Sequence, residues 1–218
     1  MPKAKISRSQ IIQTSLATLA ECRTLDQFSM RKVAATLKVD ASTLYWHFEN
    51  KQALLQAMAD EIASQITFPD NQRDWQTQLT QLFRTIFAVY TAHPHAAELM
   101  LETIPASKTR LTLMDHIMAI LVTAGFSETE ANEAMTTIDF FLTGLIIDLT
   151  REQQFRSEIN SKQAAYLHDQ VQKMHQITHD AKLNHMQAAV QFRNTYTAKQ
   201  QFEVGLKLII NGLLASKS

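Results

Sequence analysis

Thr43-Leu44-Tyr45-Trp46-His47 is the stretch that decides the fold. It sets hydroxyl, aromatic and imidazole side chains together, directly after an amphipathic helical segment and a short break. A helix presenting such groups outward reads a nucleic-acid groove. Upstream, Ser29 is placed to cap a helix whose apolar face is Met30, Val33, Ala34 and Leu37, at three-and-four spacing. Lys38-Val39-Asp40 interrupts it, and Asp40 is placed to cap a second helix from Ala41 through Tyr45 to about Phe48. Helix, tight turn, helix is the bipartite DNA-reading unit. A longer helix from Ser7 to about Cys22 repeats Ile11, Ile12, Leu16, Leu19 and Ala20, a stripe able to bury the other two. The expectation is a three-helix DNA-binding domain over residues 1–50.

Phe28-Ser-Met-Arg-Lys-Val-Ala-Ala-Thr-Leu37, Ser42-Thr-Leu-Tyr-Trp-His-Phe48 and Asn50-Lys-Gln-Ala-Leu-Leu55 resemble the DNA-binding domain of the TetR family of bacterial repressors. The resemblance implies that Met30, Arg31, Ala41, Ser42, Thr43, Tyr45, Trp46, His47 and Lys51 stand where family members touch operator DNA. One departure is Lys38, in a turn where the family often has Gly; a left-handed residue there costs Lys about 1 kcal/mol or more relative to Gly.

The whole chain is neutral, but its ends differ. Residues 1–51 hold eight basic and four acidic side chains, a net of +4, and residues 52–218 hold thirteen and seventeen, a net of −4. A basic head and an acidic body orient the molecule on phosphate. Lys3, Lys5 and Arg8 precede the first helix as an arm that either reaches the DNA or merely solubilises. An apolar fraction of 45% fills a substantial core, while four glycines, four prolines and no alternating Val/Ile/Thr runs leave little material for hairpins, so the chain is all-α. Cys22 is alone and reads as a buried thiol rather than half of a disulfide. No signal peptide is recognisable, and no apolar run approaches the ~18 residues of a membrane span, so the expected location is cytoplasmic.

Residues 51–218 read as a larger helical ligand-binding and dimerisation domain, entered through a connector helix from about Asn50 to Ile66 that carries Leu54, Leu55, Met58, Ile62 and Ile66. Further helices are expected from about Trp75 to Ala92, ending before His93-Pro94, in a short piece to Leu101, and through Leu111, Met114, Ile117, Met118 and Leu121 to a C-cap at Gly125. Ser127 and Glu130 form a capping box for a helix to about Gln154. That helix is apolar nearly all round, with Gly144 among Ile138, Phe140, Phe141, Leu142 and Leu145 to Ile147. The last helix, about Ala198 to Ser216, has similar excess, with Gly205 and Gly212 seven apart. Surplus apolar surface beside glycine suits packing on a second copy across a two-fold axis, although central helices of a monomeric bundle would show the same pattern.

Gly125-Phe-Ser127, Leu142-Thr-Gly-Leu145 and the segment from Phe202 to Leu213 resemble the C-terminal domain of the tetracycline repressors, which implies a four-helix dimer interface and a small-molecule inducer pocket. In that class an Asn, a Phe and a His anchor a magnesium–tetracycline chelate; aligned on His93 and on Leu101 to Pro105, this chain has Leu82, Ile86 and Met100 there, and Ile104 in place of an Arg. Leu and Met cannot ligate a hard magnesium ion. The implied ligand-binding lining is Ile62, Leu82, Ile86, Tyr90, Met100, Thr103, Ile104, Met114, Ile117, Ile138, Asp139 and Phe141, a surface for a flexible lipophilic or amphipathic molecule with no cofactor and no metal. The same side chains also read as ordinary core.

Asp139 and Asp148 lie in the most apolar helix, where an unpaired carboxylate is costly; each is read as paired with a base, exposed, or facing a cationic ligand. Between Phe155 and Ala198 the chain turns polar and His-rich, with Tyr166, Leu167, Val171, Met174 and Ile177 marking one amphipathic helix. It looks like an insertion relative to the tetracycline repressors. His168, His175 and His179 read as a solvated face rather than a metal site, and nothing resembles a nucleophile elbow, a phosphate loop or paired catalytic carboxylates. The expectation is therefore a non-enzymatic, homodimeric, ligand-released DNA-binding repressor whose partners are double-stranded operator DNA and a small inducer. The alternatives are a helical ligand carrier or enzyme retaining the head, or a regulator controlled by a protein partner.

Overall fold

The computed structural model describes residues 6–71, 73–159, 165–193 and 195–216, and among them every regular element is helical. The head is built from α1 (Arg8–Ala20), a 3-10 turn (Leu25–Gln27), α2 (Met30–Leu37) and α3 (Ala41–Tyr45). Ser7 and Gln10 close a capping box on α1, and the Ser29 hydroxyl accepts the Lys32 amide at the start of α2. Asp40 holds the N-cap position of α3 but its side chain makes no capping bond, and α3 stops at Tyr45, short of Phe48. Ile11, Leu19, Phe28, Val33, Leu44 and Phe48 are buried, so the head has its own core. Arg8 does not belong to a free arm: it opens α1, its guanidinium 4.8 Å from the centre of the Phe48 ring. Lys3 and Lys5 fall outside the described residues.

The turn between α2 and α3 is left-handed in spite of its lysine. Lys38 is left-handed at φ 55° and ψ 45°, its amide bonds the Ala35 carbonyl at 3.1 Å, and the Val39 amide bonds the Ala34 carbonyl at 3.0 Å. Those bonds close the end of α2 as a Schellman turn does and hold Lys38 where glycine is easier. Lys38→Gly is therefore expected to raise the stability of the head by about 1 kcal/mol, read as a higher melting temperature with the helical spectrum unchanged.

The connector α4 (Lys51–Ala63) starts from Asn50, whose side chain accepts the Ala53 amide at 2.9 Å, and buries Leu54, Leu55, Met58 and Ile62. Then follow α5 (Trp75–Ala92), α6 (Ala96–Leu101), α7 (Lys108–Thr123) and the 32-residue α8 (Glu128–Ile159), which overruns the expected end at Gln154. Gly125 is left-handed at φ 96°, and Ser127 with Glu130 forms the expected reciprocal box at 2.7 and 3.3 Å. The polar region contains α9 (Ala165–Asp180) and α10 (Asn184–Arg193), two helices where the periodicity predicts one, because Lys182 turns left-handed between them. The last helix is α11 (Ala198–Ser216), with the bounds the sequence predicts.

The chain forms two compact units, residues 1–146 and 147–216. In the first, α4 packs on α1, α5, α6 and α7. On α8, Ile138, Leu142 and Ile146 are buried, whereas Phe140 is 70% exposed, so one side of this nearly all-apolar helix stays uncovered within one chain. In the second unit, α11 buries Phe202, Leu206 and Ile210 and leaves Val204, Leu208 and Leu214 exposed. On α9, Tyr166, Met174 and Ile177 of the expected apolar stripe are exposed. No helix among the described residues is long and apolar enough to cross a membrane.

Candidate DNA-reading face and ligand-domain interior

Leu44 and Phe48 are almost fully buried, and anchoring them turns the intervening residues outward. Trp46 is 89% and Tyr45 52% exposed, Arg31 and Ser42 are exposed, and Ala41, Thr43 and His47 are half-buried. Among the described residues, no hydrogen bond engages the side chains of Arg31, Ser42, Thr43, Tyr45, Trp46 or His47, so their polar atoms are free for another molecule. Lys51 sits at the start of α4 with its ammonium 5.9 Å from the centre of the Phe28 ring, which ties this cation to the head core. Met30 departs from the expectation. It is 5% exposed and serves the core, because its place at the start of α2 points its side chain inward with Val33 and Ala34.

From the head, α4 carries three polar side chains at four-residue spacing, so they share one face. Gln52 Nε2 donates to the Glu102 carbonyl at 2.6 Å, Gln56 donates to the Ile104 carbonyl and accepts the Ile104 amide, and Ser107 Oγ donates to Asp60 Oδ1 at 2.7 Å. This ladder clamps the connector to the segment between α6 and α7. Two more links tie head to body: Gln13 Nε2 donates to Glu61 at 2.7 Å, and His95 Nε2 donates to the Cys22 carbonyl at 2.9 Å. His95 is buried, left-handed at φ 64°, and paired through Nδ1 with Glu98.

Of the expected ligand lining, Ile62, Leu82, Ile86, Tyr90, Thr103, Ile117 and Ile138 are buried, and Met100, Met114 and Phe141 are half-buried. The Ile104 side chain does not line the interior; it is 73% exposed, because its backbone is turned inward to serve Gln56. Asp139 is exposed in the single chain.

Several of these residues converge on one that sequence reasoning missed. Arg110 is buried; its guanidinium donates to Thr103 Oγ1 at 2.9 Å, the Ile104 carbonyl at 3.2 Å and the Met100 carbonyl at 3.4 Å. Burial lowers its pKa, while Tyr90, Asp60 and Asp139 pull it back up. Burial, and then the Asp139 charge, push the Tyr90 phenol up to about 12, with Arg110 opposing. Partial desolvation raises the Asp139 carboxyl, again with Arg110 opposing. The signal was present in the sequence: residue 110 is in phase with Met114, Ile117 and Leu121, so a cation sits on the apolar stripe of α7.

A cavity of about 350 Å3 lies at the end of α4 and the first turns of α7, lined by Ala63, Ser64, Ile66, Phe68, Lys108, Thr109, Thr112 and Leu113. None of the expected lining residues borders it. His116 stacks on Phe68 with ring centres 4.4 Å apart, and among the described residues its buried Nε2 has no hydrogen-bond partner. Among the described residues no group of three His, Cys, Asp or Glu side chains is placed to hold a metal ion.

Comparison with known proteins agrees with this architecture. Residues 14–58 match the model of bacterial regulatory proteins, tetR family, and residues 68–216 match the tetracyclin repressor-like C-terminal domain. The class C tetracycline repressor protein of Escherichia coli is 30% identical over 212 residues, covering 96% of this chain and 91% of the relative. A possible TetR family transcriptional regulator from Streptomyces coelicolor A3(2) superposes with a TM-score of 0.78 at 25% identity, covering 96% of this chain and all of the other. The S. coelicolor TetR family protein ActR, in complex with actinorhodin, superposes with a TM-score of 0.77 at 24% identity and 98% coverage of both chains. With the two family models together spanning nearly its whole length, the chain belongs to the TetR family of bacterial regulatory proteins.

Proposed function

We propose that the chain acts as a homodimeric repressor that grips operator DNA through residues 1–50 and lets go when a small lipophilic or amphipathic molecule enters residues 51–218. The observation that carries this reading is the α4 ladder. Gln52, Gln56 and Asp60 join the helix that enters the body from the DNA reader to the segment at residues 102–107, beside Met100, Thr103 and Arg110. A ligand changes DNA affinity only by its differential affinity for two arrangements of the molecule. Displacing the 102–107 segment shifts the ladder and with it the reader. A difference of ~3 kcal/mol between the two arrangements weakens DNA binding by roughly a hundredfold.

Exposed apolar residues support the dimer. Phe140 on α8, and Val204, Leu208 and Leu214 on α11, are costly to leave in water, and a second copy covers them.

The pocket is proposed to work without magnesium, since Leu82 and Met100 offer neither oxygen nor imidazole. Magnesium–tetracycline at micromolar concentration is therefore expected to leave the operator complex intact in a fluorescence-anisotropy titration. Magnesium-dependent release by the chelate contradicts the assignment of the pocket residues.

A further inference from the structure

Two buried polar groups of the body, Tyr90 and Arg110, and the exposed Asp139 act on one another electrostatically yet stay unjoined. The Tyr90 phenol, on a residue nine-tenths buried, has no hydrogen-bond partner among the described residues. Asp139 makes no hydrogen bond or ion pair there. Arg110 is buried and permanently charged, and among the described residues no carboxylate lies within ion-pairing distance of it; its partners are a hydroxyl and two carbonyls. A buried guanidinium prefers a carboxylate, which accepts two parallel N–H bonds and cancels the charge, and neutral oxygens do neither. The two acidic groups nearby do not supply this. Asp60 is engaged by Ser107 on the connector face, and Asp139 is exposed, with partial burial disfavouring its charged form.

We propose that Arg110 anchors an acidic ligand: a lipophilic molecule carrying a carboxylate or comparable anionic oxygen, seated on the guanidinium beside the Tyr90 hydroxyl. This rests on the reading of the chain as a ligand-released repressor and names the chemical class of its inducer. The apolar body of the ligand packs on Met100, Met114 and Ile117, two of them flexible thioethers that accommodate varied shapes. The anion also explains how binding is felt at the head. The Ile104 carbonyl accepts from both Arg110 and Gln56. A carboxylate that draws the guanidinium off Met100, Thr103 and Ile104 frees the segment on which the α4 ladder is fastened, so ligand charge rather than bulk alone drives release.

The test uses the full-length dimer bound to labelled operator, titrated with 2-naphthoate, decanoate, their methyl esters, and the ammonium analogues 2-naphthylmethylammonium and decylammonium. Binding to the free dimer is followed in parallel by calorimetry. The acids are expected to bind and release operator at concentrations about tenfold or more below those of the matched ester or amine, the discrimination expected of one charge-assisted contact. In Arg110→Met the preference collapses to about one, and in Arg110→Lys, which keeps the charge, acid still outruns ester; each variant is normalised to its own operator affinity. Esters or amines that match the acids, acids that do not bind, or an acid preference that survives in Arg110→Met overturn the proposal. Failure of the wild-type dimer to bind operator at all overturns the repressor reading instead, which separates the two claims.

Discussion

Replacing Thr43 and Tyr45 together with alanine removes operator-specific binding while circular dichroism stays helical. Thr43 and Tyr45 flank the buried Leu44 that fixes α3, so truncating them leaves the core of the head in place. Their side chains hold no hydrogen bond within the described chain, so the loss is read at the DNA. Each good base or phosphate contact is worth about 1–3 kcal/mol, so losing two weakens operator binding by roughly a hundredfold or more. Residual binding keeps the salt dependence of phosphate contacts from Arg31 and Lys51 but no longer discriminates sequence. A double variant with wild-type affinity in a gel-shift titration removes α3 from the role of reader.

The second large effect is expected at Gly144. A Cβ placed there meets nothing within 4 Å in the single chain, and the same is true at Gly212. A Cβ at 144 therefore meets no neighbour in its own chain, and leucine favours the helix over glycine. If the second copy's backbone lies against Gly144, two added side chains overpack the interface at roughly 1–3 kcal/mol each. Gly144→Leu should then sediment as a monomer at micromolar concentration, with its helical circular dichroism retained and its operator affinity down by about a hundredfold. A variant that remains dimeric shows that no backbone approaches this position.

What could be read in advance follows the range of the interactions. Ser7, Ser29, Asn50, Ser107 and Ser127 cap helices through bonds three residues long, so helix starts are visible locally; Asp40, in the same position, makes no such bond. The left-handed Lys38 was legible as a strained position, yet only the bonds from residues 38 and 39 to Ala34 and Ala35 show that the strain is accepted. The ladder was invisible because Gln52, Gln56 and Asp60 find partners about fifty residues away, and a glutamine on a helix surface has no local signature of being bonded. Arg110 was passed over for a related reason: its apolar phase on α7 is readable, but its acceptors come from α6 and the following turn. Met30 and Ile104 misled in opposite senses, one an expected DNA contact that is core, the other an expected ligand-lining residue whose side chain faces solvent.

The claim at the centre of this account is that two copies of the α2–α3 unit read DNA together. Selection of bound duplexes from a random-sequence pool by the purified protein, followed by sequencing, tests it most directly. The account predicts enrichment of an inverted repeat whose half-sites are centred about one helical turn, or slightly more, apart. Enrichment of a single unrepeated half-site, or no enrichment above the input pool, contradicts it.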